Sequence, residues 1–198
     1  MFNNEKIDMR IKYTREWTFE ALARLQKTKN FNDINISEVI KKAGISRATF
    51  YRNFSSKEDI IKIKIKSLFT EFYLDMIDYY KQNVPEDELF LIQSFFKKVD
   101  EETELVDLVI EANLEYSMIE GIHHIITTHN KMFYPIVETK KATEDYTMDI
   151  VSSSAWTILS RWHKTGKQET PQQLAKIYMS AFKNVYLALF DDKSKIGD

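Results

Sequence analysis

An all-α fold is what this sequence predicts, and three observations predict it. Only four glycines and three prolines stand in 198 residues, too few for the turn-rich chain of a sheet protein. Apolar residues recur at three- and four-residue steps along most of the length, which is the spacing of one helix face. Residues that start and stop helices stand where those runs begin and end. About nine helices are expected. Hydrophobic residues make up 43% and charged residues 29%, as in ordinary soluble globular proteins. The absence of cysteine removes disulfide frameworks and thiolate metal sites from consideration. The opening MFNNEKIDMR has no apolar signal core, and no run approaches the roughly 18 apolar residues of a membrane span. A cytoplasmic location without a membrane partner is therefore expected.

The spacing of Ile7, Ile11, Thr14, Thr18, Ala21, Leu22 and Leu25 predicts a first helix from near Ile7 to near Thr28. Phe31 and Ile34 fill the corner after it. Asn35 and Glu38 stand at the N-cap and N3 positions of a capping box, and Ile36, Val39 and Ile40 give that second helix its apolar face. Gly44 ends it, since glycine takes the left-handed conformation without a Cβ penalty. Ser46 caps a third helix with Phe50 and Phe54 facing inward. A long helix starts at Ser55-Ser56-Lys57-Glu58 and runs to about Tyr80, buried along Ile61, Ile65, Leu68, Phe72 and Met76. Pro85 opens the next, with Glu86, Asp87 and Glu88 in its first turn and Leu89, Ile92, Phe95, Phe96 and Val99 on its face. Two helices with a break near Leu114 occupy Glu101–His129, and Met132–Pro135 marks a turn. Glu144–Thr165 is a long amphipathic helix ended by Gly166. Thr170-Pro171 then caps and starts a last helix carrying Leu174, Ile177, Tyr178, Ala181, Val185 and Leu189.

Charge divides the chain unevenly. The formal net charge is −2, yet residues 1–66 hold 15 of the 28 Lys and Arg and only 8 of the 30 Asp and Glu, leaving 13 against 22 beyond them. A basic end and an acidic body suit DNA binding through that end. The third helix has the matching chemistry. Its outward residues Arg47, Thr49, Tyr51, Arg52 and Asn53 are the cations, hydroxyls and amide of a recognition helix in a major groove.

The run from Val39 to Phe54, VIKKAGISRATFYRNF, followed by Ser56-Lys57-Glu58, resembles the signature of TetR-type transcriptional regulators, in the T-F-Y-x-x-F form of a branch common in low-GC Gram-positive bacteria. Asn30 stands where that pattern has a helix-ending glycine, a left-handed position that asparagine tolerates, and Asn35 replaces a threonine. The resemblance implies a helix-turn-helix DNA-binding domain over residues 1–56 and a helical ligand-binding and dimerisation domain over 57–198. It implies phosphate contacts from Thr49, Tyr51 and Lys57 and base-edge contacts from Arg47, Arg52 and Asn53, with Asn35, Ser46 and Ala48 completing the DNA face. Ser160–Gly166 and the helix after Pro171 also resemble the closing part of such regulators. On that basis the last two long helices pair with those of a second copy through Val151, Ala155, Leu159, Trp162, Ile177, Ala181 and Val185. The expected partners are operator DNA, a second copy of the chain and a small-molecule effector.

Enzyme chemistry finds little support in the residues. The four glycines are too scattered for a phosphate-binding loop, and Glu120–His123 is a single E-x-x-H where a di-iron bundle needs two. No metal, cofactor or catalytic residue is therefore expected. The aromatic-rich second domain suggests a pocket lined by Phe72, Phe95, Phe96 and Trp156, with Glu111, Tyr116 and His123 as polar anchors. The expected function is a sequence-specific regulator, a repressor released by an effector. A ligand-free co-activator or adaptor working through a protein partner is the alternative, and an all-α enzyme or carrier a remoter one.

Overall fold

The computed structural model describes residues 2–82, 89–128 and 141–190, with side chains described for 9–82, 89–128 and 146–181. Among these it is all-helical, with nine α-helices and no strand. They are α1 (Phe2–Gln26), α2 (Ile36–Ala43), α3 (Arg47–Asn53), α4 (Lys57–Gln82), α5 (Leu89–Glu101), α6 (Thr103–Glu111), α7 (Glu115–Thr128), α8 (Lys141–Lys164) and α9 (Pro171–Phe190); a short 3-10 turn, Phe31–Asp33, joins α1 to α2. Pro85, its acidic neighbours and Met132–Pro135 lie outside the described residues.

Local chemistry sets most of the boundaries. The Asn35–Glu38 capping box forms in full, and Gly44 closes α2 in the left-handed region at φ 68°. Asn30 does not take that conformation. With φ −62° and ψ 145° it is extended, because α1 has already ended through Thr28 and Lys29 N–H bonds to the Leu25 carbonyl. Asn113, at φ 54°, makes the break between α6 and α7. Gly166 and Lys167, at φ 84° and 53°, end α8. Thr170 and Gln173 then cap each other at the start of α9, at 2.8 and 3.2 Å.

α1 packs on α2 and α4, α4 on α7 and α6, α7 on α8, and α5 on α9. Buried apolar side chains run without interruption from Leu22, Val39 and Phe50 in the amino-terminal head, through Ile61, Leu68 and Phe72 of α4, to Phe96, Leu108 and Leu159 in the body. Charges add to that union at the head's edge. Lys64, 13% exposed, lies between Glu16 of α1 at 3.0 Å and Glu102 at 3.2 Å, and Lys27, in the turn after α1, reaches Glu104 of α6 at 2.6 Å. Burial alone would push the Lys64 ammonium down, but Glu102 and Glu16 outweigh it and hold it above its usual value of 10.5. Met9, Tyr13 and Trp17 repeat at four-residue steps on the open side of α1, all about half exposed, with the last two rings stacked at 6.0 Å.

Candidate functional site

The turn between α2 and α3 is built by hydrogen bonds its own residues supply. Ser46 Oγ accepts the Thr49 N–H at 3.0 Å and shares a bond with the Thr49 hydroxyl at 2.9 Å. On the inner side Phe50 is wholly buried and meets Phe54 at 5.3 Å between centroids. With that face anchored, Arg47, Ala48, Tyr51 and Arg52 lie together on the outer face of α3. The Tyr51 ring stands edge-on to Phe50 at 5.3 Å, so its direction is set even though the residue is 56% exposed.

Other residues expected on this face are engaged by hydrogen bonds within the protein. Asn53 Nδ2 donates to the Thr49 carbonyl at 2.8 Å, which takes up part of the amide's bonding capacity. Lys57 Nζ donates to the carbonyls of Phe31, Asn32 and Ile34 at 2.6, 3.2 and 3.1 Å and sits 4.4 Å above the Phe31 ring. Three carbonyls match the three N–H donors of an ammonium, so Lys57 ties the start of α4 to the corner before α2. Asn35 serves the capping box. Sequence reasoning did not single out Lys41 and Lys42 as site residues. They are exposed in the last turn of α2 and, like Arg47 and Arg52, have no ion-pair partner among the described residues. The signal was their place immediately before the Ala43-Gly44 turn. Two carboxylates nearby are held below their usual range: Glu38 by the Asn35 N–H and Lys29, and Asp59 by the hydroxyl and N–H of Ser55.

The expected effector residues do not converge. Phe72, Phe95 and Phe96 are packed core, with Phe95 against Phe69, Phe72 and Phe96, and Phe96 edge-on to Tyr178 at 5.7 Å. Trp156 is buried, Glu111 is exposed and Tyr116 is 69% exposed. His123 faces Asp149 of α8 at 3.5 Å. Among the described residues no three His, Asp or Glu are placed to hold a metal ion. A groove of about 520 Å³ lies elsewhere, between α4 and α7, over Ile65, Phe69 and Ile125. Sequence periodicity could not show which helix would lie opposite this face of α4.

On the last two helices the expected interface stripe divides. Val151, Ala155, Leu159 and Trp162 are buried inside the chain, and the Tyr178 hydroxyl donates to the Val151 carbonyl at 2.9 Å. Ile177, 51% exposed, and Ala181 face outward; the Val185 side chain lies outside those described. The open face of α8 instead carries Tyr146, Ile150, Ser153 and Thr157. No helix among the described residues is long and apolar enough to cross a membrane.

Solved structures share this architecture. Lin0861 from Listeria innocua matches with a TM-score of 0.73 and 17% identity, over 89% of this chain and 93% of its own. A TetR transcriptional regulator from Streptococcus agalactiae matches at 0.60 and 19%, over 90% and 98%. The dihydroxyacetone kinase operon activator DhaS matches at 0.61 and 16%, over 90% and 96%. No curated protein sequence matches the chain. The family model of bacterial regulatory proteins of the tetR family matches residues 19–62, from the buried half of α1 to the first turns of α4. Residues 19–62 of the head therefore match the N-terminal domain of tetR-family regulators, and the helical body that carries them has the fold of the solved structures.

Proposed function

We propose that the chain is a sequence-specific transcriptional regulator that binds operator DNA as a homodimer and is released by a small-molecule effector, with residues 1–56 reading DNA and 57–198 serving ligand and dimer. The observation that carries this reading is the outer face of α3, where Arg47, Tyr51 and Arg52 stand exposed on a helix locked from behind by Phe50 and Phe54. Arg47 and Arg52 meet base edges, and Tyr51, Thr49, Lys41 and Lys42 meet phosphates. Lys57 acts mainly by holding α4 against the head. Because Val151, Ala155, Leu159 and Trp162 already serve the chain's own core, the second copy docks on Tyr146, Ile150, Ser153 and Thr157 together with Ile177 and Ala181. An alternative is a co-activator acting through a protein partner. The close packing around Phe95 favours it, as does the activator role named for DhaS, a fold relative.

The experiment is a gel shift with DNA from upstream of the chain's own gene, across a salt series. Retardation that competitor DNA of unrelated sequence fails to abolish supports the reading. Equal competition by any DNA overturns sequence specificity, and no retardation overturns the DNA-binding function itself.

A further inference from the structure

The open side of α1 carries an apolar stripe. Met9, Tyr13 and Trp17 recur at every fourth residue, all about half exposed, and the Tyr13 and Trp17 rings stack at 6.0 Å with their planes 22° apart. Eight residues span about 12 Å along a helix, and half of three large side chains amounts to on the order of 300 Å². A contiguous apolar patch of that size marks a contact surface. The acids beside it are spent inside the chain. Glu16 pairs with Lys64 at 3.0 Å and Glu20 with Arg24 at 3.2 Å. Arg10 is not so engaged. It is exposed and has no ion-pair partner among the described residues, and the positions one turn away on either side, Lys6, Ile7, Tyr13 and Thr14, hold no acid.

We infer that this stripe docks on the same stripe of a second copy, helix against helix and antiparallel about Tyr13, and that the contact forms between neighbouring homodimers on one DNA. The spacing is self-complementary. With Tyr13 at the two-fold axis, each residue comes level with the one that lies as far beyond Tyr13 as it lies before, so Met9 meets the second copy's Trp17 and Tyr13 meets Tyr13. Opposite charges share the remaining levels, Arg10 with Glu16 and Lys6 with Glu20. Arg10 also gains the face of the second copy's Trp17 as a cation–π partner. A foreign helix of one charge sign would match only half of these levels. The area decides where the contact forms. On the order of 300 Å² per copy falls well short of the about 800 Å² per partner of a stable interface, so copies free in dilute solution stay apart, whereas copies held side by side on DNA meet at a high effective concentration. α1 packs chiefly on α2, α4 and α6, which leaves its stripe clear of the α8 and α9 face proposed for the homodimer. Each homodimer then carries two stripes, one on each head, and can join a neighbour through either. The consequence, cooperative filling of adjacent operators, rests on the proposed function above.

The test uses the full chain in two assays. The first is cross-linking at high protein concentration under copper-phenanthroline oxidation. Because the chain has no cysteine, Tyr13→Cys sets a single thiol at the two-fold axis, and Met9→Cys sets one whose copies lie about 12 Å apart along the pair, beyond disulfide reach. Tyr13→Cys is expected to give a covalent dimer on a denaturing gel, and Met9→Cys about tenfold less. Equal cross-linking of both variants, or of neither, overturns the proposal. The second assay is a gel shift on DNA carrying one or two copies of the bound operator, at spacings that cover a full helical turn. At the favoured spacing the second site is expected to fill about tenfold more tightly than the first, and Tyr13→Ser/Trp17→Ser, its folding checked by thermal melting, is expected to lose that gain while keeping its one-site affinity. No gain at any spacing in the wild type, or a gain that the double substitution leaves in place, overturns the proposal. So does a one-site affinity lowered by the double substitution, since the stripe would then meet DNA itself. The two readings fail separately. One-site retardation without cross-linking or gain removes the pairing and leaves the regulator; selective Tyr13→Cys cross-linking with no retardation of any DNA keeps the pairing of stripes and overturns its place on DNA together with the regulator.

Discussion

Lys57 and Arg52 are both cations at or beside α3, and their surroundings give them different work. Arg52→Ala removes an exposed, unpaired guanidinium, so stability should stay within about 0.5 kcal/mol of wild type while discrimination at one or two base positions falls by about 1–3 kcal/mol. Lys57→Ala removes three bonds to backbone carbonyls and should lower stability by about 1–3 kcal/mol. Thermal melting beside quantitative gel shifts checks both, and an unchanged Lys57→Ala melting curve would return that residue to the phosphate role. Glu38 gives a pH signature. Its folded carboxyl is held below 4.5 by the Asn35 N–H and by Lys29, so its contribution is complete above that pH and is lost as pH falls through the folded value. The melting-temperature gap between wild type and Glu38→Gln should thus be constant near neutrality and close as pH drops below about 4.5.

At the scale of helices, Gly121 sets how near α7 comes to α4. Alanine is the better helix former by about 1 kcal/mol, yet Gly121→Ala should destabilise, because overpacking costs about 1–3 kcal/mol and the new carbon meets a buried aromatic ring. In a Phe69→Leu background the same change should turn neutral or favourable, a coupling that a double-mutant cycle by urea denaturation measures directly. Such a contact is invisible to periodicity. Nothing in the spacing of the sequence pairs Gly121 with Phe69, and only the packing makes them partners. Features governed by neighbours a few residues away were legible: the Asn35–Glu38 box, the Gly44 turn, the Ser46 cap, the Thr170-Pro171 start and the inward Phe50 and Phe54. Asn30 was misread because the helix ended before reaching it. The pocket walls Phe72, Phe95, Phe96 and Trp156 were chosen for aromatic character, and aromatic rings on an inner helix face serve the core as well as any pocket.

For the whole molecule, the division of α8 and α9 into an inner and an outer face separates folding from assembly. Ile177→Glu should give a folded monomer with stability within about 0.5 kcal/mol of wild type, seen as a halved mass by sedimentation and as weakened operator binding. Leu159→Glu, at a position 1% exposed, should instead cost about 4 kcal/mol or more and yield aggregated protein. If Ile177→Glu sediments as wild type does, the proposed docking of a second copy on this face is overturned. The head and body share one core and are further joined by Lys64, whose ammonium is held above 10.5. That contribution is complete at neutral pH and disappears only as pH rises through the folded value.

The stack of Tyr13 and Trp17 on α1 also makes the molecule its own optical gauge. The chain has three tryptophans. Trp17, 54% exposed, is on the head, whereas Trp156 and Trp162 are 4% exposed in the body. Trp162 donates its indole N–H to the Glu169 carbonyl at 2.9 Å. Excited at the indole band, the head should emit to the red and be quenched freely by acrylamide, and the body should emit to the blue and resist quenching. A Trp17→Phe variant should lose the red, quenchable fraction alone. Unlabelled protein would then give two separable colours, one for the head and one for the body.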